Sequence, residues 1–456
     1  MITSHPLVRR LTTLSLIVLL FTPATRWAPL STPPTIGDIP DQQTEEDTPL
    51  GPIVFSVGDM DAGDTLTVTG GASDPLLLPN TSLLFGGSGV TRTLALTPSA
   101  NLSGNAIVTV TVSDGLDSAS EAFTLTVSAV NDAPWVGALT PLYDGALDTG
   151  TPDTQGFVYQ ILPAPPFTAT QTFADGVTTL TTTDSAGIYA GYFGSTLLVP
   201  TLDRQAGYAL RFTARVMTET HAGSDRNGDG IEDRAGFSLI ALSEDTRGIE
   251  LGFWPDQVWA QEDGAAEPPA GTLFTHAESG AFDTIAGLTE YELLILGDAY
   301  TLSSGGSVIV SGRLRDYTSF EGPIDPYETP NLIFLGDDTP SASAVLQLAS
   351  VHVVTLGTLP DQTTNPNMSL GPIPFAVGDV DSSGALTVTA ASSNPTLVPD
   401  SNIVFSGDAM TIMPAFNQAG TAIITVTVSD SLAQGSATFT LTVNSAFRLY
   451  VPLLVR

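Results

Sequence analysis

One loop of the chain places oxygen-bearing side chains at alternate positions, which is the pattern of a calcium-binding loop. The candidate ligands are the side-chain oxygens of Asp225, Asn227, Asp229 and Asp233 and the backbone carbonyl of Ile231. A chain that wraps around a cation presents a ligand at every second residue, and three carboxylates match a hard divalent ion. Gly230 permits the turn without steric cost. The spacing predicts a calcium site, and the alternative is an Asn-Gly-Asp-Gly turn that binds no metal.

Two tryptophans follow this loop and are candidates for carbohydrate binding. Trp254 and Trp259 are close in sequence, and an aromatic face is suited to stacking on a pyranose ring. The alternative is that both side chains belong to a hydrophobic core, where the aromatic residues of a β-sandwich are more often found.

The elements that must position these residues are β-strands. Apolar residues alternate at 237–241 and at 249–253, on either side of the polar turn 244–248. This pattern predicts a hairpin with one buried face. Further strand-like segments follow one another from 177 to 354, with no convincing amphipathic helix among them. Residues 135–166 are rich in Pro, Gly and Asp and are predicted to be irregular.

The composition of the 456-residue chain restricts both its class and its partners. The formal net charge is −34, and all 14 basic residues are Arg. So acidic a surface repels nucleic acid and anionic lipid but suits divalent cations, and nucleic-acid binding is therefore excluded. There is no Cys, which removes disulfides, thiolate metal sites and thiol catalysis together.

Two copies of one module flank the central segment, the first at 35–134 and the second at 356–446. The sequence Pro40-Asp41-Gln42 recurs at 360–362, an offset of 320, and the sequence of 110–114 recurs at 426–430, an offset of 316. Short alternating apolar runs separated by turn residues predict a β-sandwich for each copy.

Four motifs characterise the first copy: EEDTP at 45–49, GDMDAGD at 58–64, TVTVSDG at 109–115 and AVNDAP at 129–134. They resemble the cadherin-like, immunoglobulin-like repeats of large bacterial surface proteins. This resemblance implies calcium bound between domains, and the positions that match are Glu46, Asp59, Asp61, Asn131 and Asp132. The second copy departs from the pattern, because it has Asn365-Pro366 in place of the acidic pair and lacks the terminal Asn-Asp. The alternative is that these Asp and Asn residues are turn formers.

The central segment, 135–355, contains YTLSSGGSVIVSGRLRDY at 300–317 and NLIFLGDDTPSASAVLQLASVHV at 331–353. Together with the hairpin, these stretches resemble the concanavalin A or laminin G type of jelly roll. That fold is used by lectins, adhesion modules, glycosidases and inert spacers alike. The Glu-x-Asp-x-x-Glu strand of jelly-roll glycosidases is absent, and no Ser/His/Asp set, phosphate loop or dinucleotide fingerprint is evident. No catalytic residue is therefore predicted.

The two ends of the chain are predicted to be targeting or accessory segments. Residues 1–28 have the basic start, apolar centre and small-residue end of a secretory signal peptide. The apolar tail 447–456 is too short to span a membrane. It is interpreted either as an added edge strand or as a sorting signal.

Together these features predict an exported, non-enzymatic, all-β protein in which two Ig-like or cadherin-like sandwiches flank a larger concanavalin A-like jelly roll. The expected role is calcium-dependent adhesion or carbohydrate binding at a cell surface. The expected ligands are Ca²⁺ and a glycan or other cell-surface ligand, with no nucleic acid and no membrane span after signal cleavage. The alternatives are a polysaccharide-active hydrolase on the jelly roll and a spacer or surface-layer component without a ligand.

Overall fold

A computed structural model describes residues 32–61, 65–75, 77–162, 169–183, 189–194, 197–221, 225–264, 273–322, 325–381 and 385–445. The predicted signal peptide 1–28 and the predicted tail 447–456 lie outside these residues. Within them the chain forms β-strands and short 3₁₀ helices at Asn80–Ser82, Gly145–Leu147, Pro152–Gln155 and Asp400–Asn402, with no α-helix. None of the described helices is long and apolar enough to cross a membrane.

The first module is a β-sandwich. Its strands are β1 (Thr35–Ile36), β2 (Gln42–Glu45), β3 (Leu50–Gly58), β4 (Thr67–Ala72), β5 (Leu83–Ser88), β6 (Thr91–Leu96), β7 (Gly104–Ser113) and β8 (Ser118–Ser128). They form two four-stranded sheets with the orders β1-β3-β6-β5 and β2-β8-β7-β4. Successive side chains of a strand point to opposite faces, so Val108 of β7 is buried whereas its neighbour Ile107 is exposed.

The central segment is a jelly roll of two packed sheets. Its strands are β9 (Trp135–Asp144), β10 (Phe157–Leu162), β11 (Thr170–Ala174), β12 (Val177–Thr181), β13 (Tyr189–Gly194), β14 (Tyr208–Thr220), β15 (Ser238–Leu242), β16 (Gly248–Phe253), β17 (Gln257–Gln261), β18 (His276–Ala281), β19 (Thr289–Leu296), β20 (Ala299–Ser304), β21 (Ser307–Arg313), β22 (Ile333–Asp337) and β23 (Ser343–Leu356). One sheet has seven strands in the order β10-β13-β22-β15-β16-β17-β18, and the other contains β21-β20-β19-β14-β23-β9. The predicted all-β fold class, with its jelly roll, is confirmed.

The predicted hairpin is formed by β15 and β16 at the centre of the seven-stranded sheet. Leu239 and Ala241 face the core between the two sheets, as their spacing predicts. The opposite face is buried as well, because Ile240 and Leu242 pack in a second cluster that includes Tyr327. The prediction of a single buried face was therefore wrong: chain segments from outside the sheet cover its outer face.

The second module repeats the topology of the first. Its remaining strands are β24 (Gln362–Thr364), β25 (Leu370–Gly378), β26 (Thr387–Ser392), β27 (Ile403–Phe405), β28 (Ala409–Ile412), β29 (Gly420–Ser429) and β30 (Gln434–Val443). The sheet β24-β30-β29-β26 corresponds to β2-β8-β7-β4 of the first module. The other sheet has the order β9-β25-β28-β27, so β9 occupies the position that β1 holds in the first module.

The jelly roll is therefore inserted into the second module rather than placed before it. Val136 of β9 pairs with Val377 of β25, as Ile36 of β1 pairs with Val57 of β3. On its other edge β9 pairs with β23, and this merges the two domains into a single eleven-stranded sheet. The domain boundary predicted between 134 and 135 is therefore wrong, because the start of β9 belongs to the second module. The irregular conformation predicted for 135–166 is also wrong, because this segment contains β9 and β10.

A side-chain contact reinforces this connection. Arg211 of β14 donates a hydrogen bond from Nη2 to the carbonyl of Val377 over 2.7 Å. Its Nε pairs with Glu292 over 2.7 Å, and its guanidinium carbon lies 5.4 Å from the centre of the Trp135 ring. The jelly roll is joined to the second module by a charged side chain as well as by backbone pairing.

The insertion predicts that the second module will fold without the jelly roll if it keeps the start of β9. Joining Gly137 directly to Thr358 restores the spacing of the first module, because Val136 and Leu359 lie in one core, as Ile36 and Ile39 do. We expect this shortened protein to unfold cooperatively on heating. A matched variant that also lacks 133–137 should lose about 2 kcal/mol or more of stability with the burial of Val136. Equal melting temperatures for the two would contradict the insertion.

Candidate functional site

A pocket of about 440 Å³ lies on the outer face of the seven-stranded sheet. Its walls include a group of aromatic residues, among them Phe193, Phe274, Phe320, Tyr327 and Phe334. These rings pack against one another, with Phe274 and Phe320 at 5.1 Å and Phe193 and Phe334 at 4.7 Å between ring centres. The pocket lies over the half of the sheet that runs from the edge strand β10 to β15, and it combines aromatic walls with a few polar groups, as small-ligand pockets do.

A buried polar layer lies beside these aromatic walls. Glu250 of β16 is completely buried. Its Oε1 accepts a hydrogen bond from Gln261 over 2.9 Å, and its Oε2 accepts one from the Tyr327 hydroxyl over 2.5 Å. The Tyr317 hydroxyl donates to the carbonyl of Gln261 over 2.8 Å and receives the amide of Glu250 over 3.2 Å. This network fixes the orientation of Tyr327, which lines the pocket.

Two carboxyl groups meet at the edge of this network. Burial raises the pKa of Glu250 well above its ordinary value, and the nearby charge and hydrogen bond of Asp338 raise it further. Two carboxyl groups can form a hydrogen bond only if one of them is protonated. The raised pKa of Glu250 favours the protonated form that this hydrogen bond requires.

A third acid, Asp337, lies at the end of β22 and also lines the pocket. Its side chain is fully buried, and Oδ1 accepts the amide of Thr339 over 3.2 Å. Oδ2 has no hydrogen-bond partner among the described residues. Burial raises the pKa of Asp337 well above its ordinary value, which the Thr182 hydroxyl and the Thr339 amide partly oppose.

Glu262 and Asp263, which follow β17 in the chain, belong to a separate cluster of acids and arginines. Asp263 pairs with Arg313 over 3.0 Å, and Glu262 lies 3.3 Å from Arg313 and 3.4 Å from Arg315. Arg315 is almost fully buried and also binds Glu278 over 2.5 Å. These carboxylates form ion pairs with arginine and do not line the pocket.

The predicted calcium loop borders the pocket, and its side-chain oxygens are occupied by backbone amides. Asp225 accepts the amides of Gly228 and Gly230 over 2.7 and 3.0 Å. Asp229 accepts the amide of Ile231 over 2.8 Å, while the amide of Asp229 is held by Asn227 over 3.1 Å. The loop is thus a series of Asx turns that is closed by its own hydrogen bonds.

Asp233 differs from the rest of this loop because it is completely buried. Its Oδ2 accepts the amide of Arg226 over 2.6 Å, and its Oδ1 accepts the amide of His276 over 2.7 Å. Asp233 therefore ties the loop to β18. The carbonyl-bearing residue Ile231 lies on the exposed part of the loop.

The predicted sugar-stacking tryptophans are not on the surface. Trp259 is fully buried and Trp254 is 6% exposed. Trp259 stacks on His276 with 4.6 Å between ring centres, and Trp254 stacks on His221 at 4.0 Å. Because protein covers their faces, these two rings are not available to stack on a sugar.

A second acidic site lies where the first module meets the second, and we call it the junction. Its residues are Glu46, Asn131 and Asp132 from the first module and Asp379, Asp381 and Asp430 from the second. The amide of Asp132 donates to Asp381 over 2.8 Å, and the side-chain amide of Asn131 donates to Asp430 over 2.8 Å. Glu46 accepts the amide of Val130 over 2.6 Å.

The structure divides the five residues that were predicted to bind calcium between domains. Glu46, Asn131 and Asp132 are at the junction, whereas the nine-residue strand β3 separates Asp59 and Asp61 from Glu46. Asp61 instead accepts the amide of Thr32 over 2.7 Å. Asp379 and Asp381 were missed as members of the site, although the repeat offset of 320 makes them the counterparts of Asp59 and Asp61.

Crowding of negative charge perturbs the acids of the junction. Burial, followed by the charges of Asp47, Asp381 and Glu46, raises the pKa of Asp132 to about 6. Burial and the hydrogen-bonded carboxyl of Asp381 raise the pKa of Asp379 to about 7. One oxygen of each, Oδ2, is buried without a hydrogen-bond partner among the described residues.

These unpartnered oxygens and the mutual repulsion fit a cation better than the closed loop at 225–233 does. In the described part of the chain, however, no three His, Cys, Asp or Glu side chains are arranged as a preformed metal site. A cation at the junction would have to draw these carboxylates closer together.

Comparison with known proteins identifies the first module. Residues 31–128 match the family model of the bacterial Ig domain. No curated protein matches the chain.

Similarities to solved structures are weak. Domain 4 of a GH43 extracellular arabinanase from Geobacillus stearothermophilus, in complex with arabinotriose, has 9% identity and a TM-score of 0.27 over 49% of this chain and 94% of that one. A family 7 alginate lyase in complex with substrate has 12% identity and a TM-score of 0.26 over 48% of this chain and 92% of that one. An I-band fragment of titin has 9% identity and a TM-score of 0.18 over 91% and 100%. These similarities are too low to bear on activity.

The raised pKa values predict that the metal-free protein is more stable in mild acid than in mild base. Between the ordinary pKa of Asp, about 4, and the values of Asp132 and Asp379, about 6 and about 7, the folded state holds protons that the unfolded chain has released. Their contribution to stability is therefore lost as the pH rises through this window. We expect the melting temperature in chelator to fall between pH 5 and pH 8.

Asp381→Asn removes the charge that raises both pKa values and should reduce this fall. The matched control is Asp61→Asn, which changes the counterpart residue of the first module and should leave the pH dependence as it is. An equal effect of the two substitutions would contradict this assignment.

Proposed function

We propose that the protein is an exported, non-catalytic surface protein that binds carbohydrate in the pocket of its jelly roll. The observation that carries this proposal is the pocket itself, in which aromatic walls adjoin the polar network of Glu250, Gln261 and Tyr327. Aromatic faces bind the C–H surfaces of a sugar ring, and a few fixed polar groups select its hydroxyls. The bacterial Ig domain at 31–128 and the predicted signal peptide support a role outside the cell.

The hydrogen bonds of Glu250 support a binding role rather than catalysis. A glycosidase of the usual kind needs one carboxyl group as acid and a second as nucleophile or base, about 5 to 9.5 Å apart across the bond that is cleaved. Glu250 and Asp338 are instead hydrogen-bonded to each other, and both oxygens of Glu250 have protein partners. The second candidate function is a polysaccharide hydrolase, which is favoured by the presence of two coupled carboxyl groups beside a pocket.

Calcium at the 225–233 loop would act on the shape of the pocket. Asp225 belongs both to this loop and to the rim of the pocket. The side chains that would hold the ion are those of Asp225, Asn227 and Asp229, and their hydrogen bonds to loop amides leave further lone pairs available. A bound divalent cation would fix the rim and neutralise its charge.

Calcium at the junction would act on the arrangement of the modules. The ion would be held by Glu46, Asp132, Asp379 and Asp381. It would replace the protons that the raised pKa values of Asp132 and Asp379 favour, and it would remove the repulsion among these groups. The acids of the junction come from both modules, so the ion would bind the two modules to each other. This is how we infer that calcium stabilises the protein.

The pocket predicts that Phe320→Ala weakens glycan binding. The substitution removes one aromatic wall, and we expect about tenfold lower affinity, equivalent to about 1.4 kcal/mol. The measurement is calorimetric titration of the full chain with an oligosaccharide that is selected on a glycan array. Phe416→Ala is the matched control, since Phe416 is a highly exposed ring of the second module.

Two results would contradict this proposal. A silent array would favour the spacer or surface-layer alternative. Release of reducing ends from any glycan of the panel, abolished by Glu250→Gln, would show that the protein is a hydrolase.

The junction predicts that calcium raises the melting temperature. If calcium binds tightly to the folded state and not to the unfolded chain, the melting temperature should be about 5 °C higher in calcium than in chelator. Asp381→Asn should abolish this increase, whereas Asp61→Asn should retain it. Asp229→Asn tests the loop separately: we expect it to remove any calcium dependence of glycan affinity but not that of the melting temperature. A wild-type melting temperature that is the same in calcium and in chelator would exclude calcium at the junction.

A further inference from the structure

Two arginines line the pocket without an ion-pair partner. Arg204, Arg211, Arg313 and Arg315 each form ion pairs with carboxylates. Arg226 and Arg234 line the pocket, and neither forms an ion pair with a carboxylate of the described residues. The other described arginines without such an ion pair are Arg92, Arg215 and Arg247, and none of them lines the pocket.

Both arginines line the same pocket, so their positive charges face one ligand space. The guanidinium carbon of Arg234 lies 5.0 Å from the centre of the Phe274 ring, which holds it against an aromatic wall. Placing like charges together is unfavourable unless an anion lies between them.

The neighbouring carboxyl groups are engaged by other partners. Asp225 and Asp233 accept backbone amides. Glu250 is hydrogen-bonded to Asp338. Arg234 donates one hydrogen bond from Nη1 to Oε1 of Gln261 over 3.5 Å. A guanidinium has five N–H donors, so both arginines keep donors for a group that enters the pocket.

Asp337 provides an independent indication that a ligand belongs here. It is fully buried, it lines the pocket, and its Oδ2 has no hydrogen-bond partner among the described residues. A buried polar atom without a partner is costly, and a ligand hydroxyl would satisfy it.

We propose that the pocket selects an anionic saccharide, whose carboxylate or sulfate group is bound by Arg226 and Arg234 while a hydroxyl of the same sugar binds Asp337. This inference rests on the proposed function, because it names the class of glycan that the same pocket takes. The planar fork of a guanidinium matches both carboxylate and sulfate oxygens and gives bidentate hydrogen bonds. Anion recognition at this one site is opposed by the net charge of −34 elsewhere, so short-range contacts must provide it.

The test is calorimetric titration of the full chain at one fixed free calcium concentration with three probes of equal length. They are an oligogalacturonate, a sulfated galacto-oligosaccharide and the neutral galacto-oligosaccharide. We expect the wild-type protein to bind one or both of the anionic probes at least about tenfold more tightly than the neutral one. Which of the two binds will distinguish a carboxylate from a sulfate as the group that is recognised.

Arg234→Gln and Arg226→Gln should each remove this preference and leave the weak binding of the neutral probe. Arg226 is on the surface loop, so its substitution does not threaten folding. Arg247→Gln is the matched control, because Arg247 is an exposed residue of the turn between β15 and β16, outside the pocket. It should behave as wild type.

The outcomes separate the two proposals. Equal affinity for neutral and anionic probes would overturn the selection of anions and leave carbohydrate binding intact. A preference for anions that both pocket variants retain would overturn the assignment to Arg226 and Arg234. Failure to bind these probes or any glycan of the array would overturn the proposed function itself.

Discussion

The architecture of this protein depends on one strand that is hydrogen-bonded on both edges to different domains. Strand β9 pairs with β25 of the second module and with β23 of the jelly roll. It also contributes side chains to two cores, with Val136 in that of the module and Leu142 and Tyr143 in that of the jelly roll. Neither domain can release β9 without exposing an unpaired sheet edge and opening its core. The junction lies directly before this shared strand, since Asn131 and Asp132 precede its first residue, Trp135.

The parts of the fold that the sequence predicts are those that depend on neighbouring residues. Alternating apolar residues at 237–241 and 249–253 predict the hairpin, and the repeated motifs predict two similar sandwiches. The role of Trp135 and Val136 is different, because their partners at 377 and 378 lie far along the chain. Only the pairing of distant segments shows that the jelly roll interrupts a module. The same long-range pairing brings Asp132 to Asp381. Local sequence patterns therefore could not predict which residues form the junction.

The candidate site illustrates how burial changes what a given type of side chain can do. Trp254 and Trp259 have the side chains best suited to sugar binding, yet histidines and the protein core cover them. Phe274, Phe320 and Tyr327 come from segments without strand periodicity, and they line the pocket because those segments fold over the sheet. Glu250 shows the same effect on charge, since burial and the neighbouring Asp338 raise its pKa well above the ordinary value. Sequence spacing alone could not assign it this state.

The antiparallel pairing of β9 with β23 also has a mechanical consequence. The chain enters the jelly roll along one strand and leaves it along the neighbouring strand, where Gly137 and Leu356 are paired. Tension between the first module and the second would therefore be carried by the hydrogen bonds at this entrance before it reached the rest of the inserted domain. The jelly roll would lie outside the path of the load until those bonds broke. Its pocket would keep its shape while the two modules on either side were being pulled apart.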